Sequence, residues 1–170
     1  VHGDHVIAES AVILEYMARS FGEPNWVVNL DDTNYWSFQY WMHYAEASLM
    51  PPLIIRLIFS KLKGPQVPAL IRPLSRRIAD QVDQSFTLPQ IRTHFAFVES
   101  HLQGREWFVG DRMTIADVQM HFPLEAALAK RTIKATDYPA INQYVERLQA
   151  RPAYLRALDK AGEYDFGPSR

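Results

Sequence analysis

The sequence predicts a mainly α protein: an all-α domain preceded by one short strand and one helix. Two observations carry this. From residue 33 onward apolar side chains recur every three or four positions, the period of a helix with one buried face. Only 5–8, "HVIA", is a brief extended run, with Gly3-Asp4 before it as turn chemistry.

The elements follow in order. Residues 11–21 read as a helix, because Val12, Ile13, Tyr16 and Met17 repeat at helical spacing and Gly22 offers a C-terminal cap. The stretch "GEPNWVVNLDD" carries Gly, Pro and Asn without a period, so 23–32 is expected to be a linker between 1–22 and an all-α domain over 33–170. A long aromatic helix, "TNYWSFQYWMHYAEASL", spans 33–49; Pro51-Pro52 cannot continue it but suit the first turn of a next helix, 51–62. Leu70, Leu74, Ile78 and Val82 repeat every four residues, which predicts a helix over 68–86 kinked at Pro73. Pro89 opens another, with Ile91, Phe95, Val98 and Leu102 on one face. Helices over 115–130 and 138–150 follow, and a short one after Arg151. No internal repeat interrupts the series.

Composition excludes several function classes. A chain of 170 residues with 48% apolar and 22% charged residues is long enough to bury a core. A net charge of -1 gives no overall field for nucleic acid or an anionic membrane. The longest apolar run, "LMPPLIIRLIF", is too short to span a bilayer and holds two prolines and an arginine. With no cysteine there is neither a disulfide framework nor a thiolate metal site, which suits a reducing, cytoplasmic setting. Any thiol in the chemistry must come from another molecule. The histidines have no metal spacing: His94 and His101 lie seven apart, about 10 Å along a helix, too far to share an ion.

Three constellations bear on chemistry. In "WFVGDRMTIADVQMHF", Thr114 and Asp117 are spaced to close a reciprocal capping box, with Met113 and Val118 as the hydrophobic staple; this is helix-start architecture and needs no further role. Glu9-Ser10 stands where the strand meets the first helix. Unpaired N–H groups and the helix dipole favour an anion there, Ser10 adds a hydroxyl, and Glu9 can hold a cation beside it. Together they suit an α-amino-acid head group; the plain alternative makes Ser10 an N-cap and Glu9 a solvated charge. The aromatic helix has rings at 35, 36, 38, 40, 41 and 44, more than one face can bury in the core. Its second face awaits another domain, a partner subunit or an apolar ligand.

Taken together these segments resemble the cytosolic glutathione transferases. "HVIAESAVILEYMARSFG" resembles the last strand and last helix of that family's thioredoxin-like N-terminal domain, and "WFVGDRMTIADV" the capping segment of its all-α C-terminal domain. "HYAEASLMPPL" is similar to the "HYAEGSLMPPL" of a fungal and bacterial branch, with Ala47 in place of Gly. The resemblance implies a strand-and-helix remnant of the thioredoxin-like domain at 1–22. It also implies glutathione as co-substrate without a metal, and Glu9 and Ser10 as the holders of its γ-glutamyl end. The electrophile pocket is expected at Tyr40, His43, Tyr44 and Ser48; core or subunit interface is the alternative for these four. The family's catalytic Tyr, Ser or Cys and its cis-proline have no counterpart in these residues, so the 170 residues alone are expected to be inactive. A homodimer acting on an apolar electrophile is the implied assembly. The alternatives are a non-catalytic interaction module and a protein that sequesters apolar ligands.

Overall fold

A computed structural model describes residues 1–167. Eight α-helices follow one another among them: α1 (Ser10–Phe21), α2 (Tyr35–Tyr44), α3 (Met50–Lys61), α4 (Arg72–Val82), α5 (Leu88–Leu102), α6 (Ile115–Ala129), α7 (Pro139–Gln149) and α8 (Pro152–Ala161). The mainly α class expected from the periodicity is therefore what forms.

The expected strand at 5–8 does not form. His2 and His5 pair in one isolated antiparallel bridge, and Val6 onward stays irregular. A strand needs a neighbour to take its N–H and C=O groups, and among the described residues none is offered. The segment 23–32 is not a bare connection either. It contains a 3₁₀ turn, Pro24–Trp26, and buries Val27 and Val28 in the core.

Two helix boundaries differ from the sequence expectation for one shared reason. The chain does not break between α2 and α3, nor between α4 and α5. In each case it passes through a π-helical segment, Ala45–Leu49 and Asp83–Thr87. Pro51, Pro52 and Pro89 have no N–H to donate four residues back, so the ladder widens just before them. Met50 N–H reaches Ala45 O and Leu88 N–H reaches Asp83 O, five residues back in both.

One continuous core joins α2, α5, α6 and α7. Phe38, Trp41 and Leu49 meet Ile91, Phe95, Val98 and Leu102 from α5, Ile115, Met120 and Leu124 from α6, and Ile141 and Tyr144 from α7. Each fully buried large apolar side chain contributes roughly 1.5–3 kcal/mol of transfer free energy. The α5 face read from the sequence is thus the face that packs. The α4 face is not: Leu74 is 63% exposed and Ile78 49%, and Leu70 in the turn before α4 is 93% exposed.

Buried carboxylates position the later helices. Glu99 of α5 accepts the Ala140 and Ile141 N–H groups, both at 2.9 Å, and so caps the open start of α7. Asp117 closes the capping box with Thr114 as expected, its Oδ2 accepting the Thr114 N–H at 2.8 Å. It does more than the box requires: Oδ1 accepts the Phe108 N–H at 2.9 Å and the Tyr144 hydroxyl at 3.2 Å. Burial raises the Asp117 carboxyl above its ordinary range while these donors pull it back down. Glu125 of α6 accepts from Gln149 (2.8 Å), Tyr164 (2.7 Å) and Tyr154, tying α8 and the segment after it to the bundle.

Candidate functional site

The start of α1 carries no side-chain cap and opens on a strained residue. Glu9 precedes the helix with φ 69, a left-handed value that costs a β-carbon-bearing residue roughly 1–3 kcal/mol. Ser10 is the first helical residue and not the N-cap, so the plain capping alternative does not hold; no side chain caps this end. The first bond of the helix is Ile13 N–H to Glu9 O at 2.9 Å, which leaves the preceding N–H groups without a helical acceptor. The Glu9 carboxylate is exposed.

The Ser10 hydroxyl is instead fixed from two other elements. It donates to Glu46 Oε1 at 3.1 Å and accepts from Gln119 Nε2 at 2.9 Å. Gln119, buried on α6, also donates to the same Glu46 oxygen at 3.4 Å. Glu46 lies in the first π segment, where the widened turn re-aims its side chain. Three elements that are far apart in sequence therefore converge on one serine. The result is a helix start offering free N–H donors, a held hydroxyl, and two exposed carboxylates, Glu9 and Glu46. Such a pattern fits a group bearing a carboxylate and an ammonium together.

Tyr40, His43, Tyr44 and Ser48 line one groove of about 360 Å³ with Trp36, Gln39 and Ala47. Its wall is aromatic. Tyr40 and Tyr44 have centroids 5.4 Å apart, and Phe97 of α5 lies 5.5 Å from Tyr44 and 6.3 Å from Tyr40. Tyr44 is hydrogen-bonded to His94 Nδ1 at 2.6 Å. Burial, with Tyr40 adding to it, pushes the Tyr44 hydroxyl up to about 12, and burial lowers His94. Near neutral pH the bond therefore joins an uncharged phenol to an uncharged imidazole. Along α2 the tyrosines lean toward α5 while Glu46 turns to Ser10 and α6, so groove and serine lie on different sides of this helix.

Sequence reading missed Glu46, Gln119, Trp36 and His94. Glu46 stood inside the quoted "HYAEASLMPPL", but without the π turn its direction was not readable. Gln119 lies 109 positions from Ser10, beyond the reach of any spacing rule. Among the described residues no helix is long and apolar enough to cross a membrane.

The molecule is a helical bundle with a side-chain-held serine at the uncapped start of α1. Comparisons with known proteins identify its family. A family model described as "Glutathione S-transferase, C-terminal domain" matches residues 62–152, and the chain belongs to the glutathione S-transferase family. Glutathione S-transferase 1 of Saccharomyces cerevisiae is 30% identical over 157 residues, covering 92% of this chain and 67% of that protein. A glutathione S-transferase from Actinobacillus pleuropneumoniae superposes with TM-score 0.71 at 27% identity, over 97% of this chain and 67% of that one. A sphingomonad glutathione S-transferase, complexed with glutathione, shares the fold with TM-score 0.68 at 18% identity, over 93% of this chain and 69% of its own. The chain spans about two thirds of the length of these proteins.

Proposed function

We propose that the protein to which this chain belongs is a cytoplasmic glutathione transferase, adding the glutathione thiolate to an apolar electrophile. The observation that carries this is the Ser10 hydroxyl, held between Gln119 and Glu46 at the uncapped start of α1, in a member of this family. In this reading the γ-glutamyl carboxylate takes the free N–H groups of α1 and the Ser10 hydroxyl, whose proton turns from Glu46 to the ligand while Gln119 keeps hold of the oxygen. Its ammonium faces Glu9 and Glu46. The groove at Tyr40, His43, Tyr44 and Ser48 receives the apolar electrophile, whose flat rings stack on Trp36 and Tyr40. The thiolate attacks the electrophilic carbon, and a leaving group such as chloride departs with the electron pair. Stabilising that thiolate needs a hydrogen-bond donor beside the sulfur, which none of these residues is assigned; the 170 residues alone are therefore inactive. Clearing reactive apolar compounds is the physiological task such chemistry serves.

The same reading includes a homodimer. Residues 50–82 carry six basic side chains and one acidic, whereas residues 1–32 carry six acidic and one basic. Both stretches also expose large apolar residues, Leu74 and Ile78 on α4 and Val12 and Met17 on α1. A second copy placed with its α1 against the first copy's α4 matches charge to charge and apolar face to apolar face.

Calorimetric titration of the full-length protein with glutathione tests the anchor. Ser10→Ala should weaken binding by about 1–3 kcal/mol without abolishing it, since the helix N–H groups remain. Glu9→Gln should weaken glutathione more than an analogue lacking the amino group. Full-length protein that neither binds glutathione nor conjugates it to a chlorinated aromatic acceptor overturns the proposal.

A further inference from the structure

Helix α8 and the residues after it lie on the bundle without entering its core. No residue of α8 is buried. The segment that follows folds back along the helix: a β-carbon at Gly167 would stand 3.6 Å from both Leu158 and the Tyr154 hydroxyl. Residues 152–167 thus form one arm, and both of its parts reach the same group outside it. Tyr154 of α8 and Tyr164 beyond it, the latter at 2.7 Å, donate to the buried Glu125 carboxylate of α6. Phe166 meets the Phe122 ring edge-on and the Lys130 ammonium, both from the same side of the molecule as Glu125. One turn before Glu125 stands His121, 9% exposed, with the Tyr154 ring edge-on to it at 5.5 Å. Its Nδ1 is 3.8 Å from Glu125 Oε2, beyond hydrogen-bond range, and its buried Nε2 makes no hydrogen bond among the described residues. The transferase chemistry makes no use of this ring.

We infer that residues 152–167 are an acid-released arm, docked on α6 through Glu125 and let go when His121 takes up a proton. An imidazolium carries an N–H on both nitrogens, and under the docked arm the one on Nε2 is buried without an acceptor. With the arm released, Tyr154 leaves the ring and water reaches it, so it titrates near the ordinary histidine value of about 6.5. The groups that face His121 are Glu125 on its own helix, Tyr154 from α8 and the Val145 carbonyl from α7. Burial lowers its proton affinity and outweighs Glu125 and Val145, which favour the charged form. The released form therefore binds the proton first, and docking is fully present above about pH 6.5 and lost as pH falls. Burial and the Glu125 carboxylate push both tyrosine hydroxyls far above this range, so they stay donors throughout. This device is independent of the reading of Ser10 as the glutathione anchor.

Hydrogen–deuterium exchange of the full-length protein tests it, read as opening constants after correction for the intrinsic rates. Peptides from α8 should open far more often than those from α7. Phe95→Ala, a core truncation, should raise the constants of α5 and α7 and leave that of α8 where it was, because the arm opens without the core. Tyr164→Phe at pH 7.5 should raise the α8 constant about tenfold or more, as expected for losing a hydrogen bond to a charged group. Between pH 7.5 and 5.5 the α8 constant should rise by up to about tenfold, the limit for one proton taken up at about 6.5. In His121→Phe, which keeps a ring and cannot titrate, that rise should vanish. His121→Gln gives the same reading should the phenylalanine variant not fold. An α8 constant that follows α7 in Phe95→Ala, or that ignores Tyr164→Phe, overturns the arm as a unit held by Glu125. A pH dependence that survives in both His121 variants overturns the acid release.

Discussion

Helices α4 and α5 carry the same kind of sequence and meet opposite fates. Both start at a proline, and both repeat large apolar residues at helical spacing. On α5 the repeat Ile91, Phe95, Val98 and Leu102 vanishes into the core; Leu74 and Ile78 of α4, with Leu70 in the turn before it, face solvent. A helical period reports that a face needs cover, and it does not report where the cover comes from. In α5 it comes from α2, α6 and α7 of the same chain. In α4 it comes, in our proposal, from a second copy.

The sharpest way to break the comparison is to truncate α5. Phe95 is fully buried, so Phe95→Ala should cost about 3–5 kcal/mol, the transfer term plus an uncollapsed cavity. Urea denaturation followed by circular dichroism reads the loss directly. A cost below 1 kcal/mol would mean that the bundle core is no drier than the exposed face of α4.

Next in size is Asp117→Ala. A capping box alone is worth about 1 kcal/mol. Here the carboxylate also holds the Phe108 N–H and the Tyr144 hydroxyl, so removal strands buried donors and should cost about 3 kcal/mol. Glutathione affinity in the full-length protein should not move, because none of these groups lies at Ser10. A thermal melt and a titration on the same sample check both halves.

How much of this was legible beforehand differs between the two regions for physical reasons. The Thr114–Asp117 box is local, four residues long, and reads straight off the sequence. So does the α5 face. The missing information was of two kinds. Tertiary direction was hidden: Glu46 and Gln119 reach Ser10 only because a π turn and α6 aim them there. Partner dependence was hidden as well, since the extended run at 5–8 reads as a strand by pattern but finds, among the described residues, only the single bridge from His5 to His2. Pro51-Pro52 and Pro89 read as helix boundaries by pattern, yet they widen a continuous helix rather than end it, because a missing N–H can be absorbed by a five-residue turn.

A smaller effect separates the regions by pH. His94 and His101 on α5 and His121 on α6 all have their affinity for protons lowered by burial, with the Phe108 carbonyl partly restoring it at His101 and Glu125 at His121. The unfolded chain therefore binds protons at these sites before the folded one does. Stability is fully present above pH 6.5, the ordinary histidine value, and is lost as pH falls through the lowered values. Asp117 opposes this, since its raised carboxyl takes up a proton in the folded form first. Residues 50–82 hold no histidine. Exchange measured from pH 7.5 down to 5.5 should thus lose protection in α5 and α6 while that of α3 and α4 stays level.

The smallest expected effect is the most telling one for α4. Leu74 is 63% exposed and lies outside the core, so Leu74→Ser removes apolar surface that the chain itself does not bury. Surface changes of this kind stay within about 0.5 kcal/mol, or about 1–2 °C in Tm for a chain of this length. The 170-residue chain should therefore melt where it did before. Dimerisation of the full-length protein should weaken, because a side chain that meets a partner's apolar face has been replaced by a hydroxyl. Light scattering across a dilution series reads that shift, and Phe95→Ala at the same fraction folded is its control. If Leu74→Ser lowered the melting temperature of the chain as a core leucine does, α4 would be covered from within and the contrast with α5 would disappear. If it changed neither the melt nor the dimer, the face would have some other partner, and the second copy would no longer explain why a helix so well patterned is left bare.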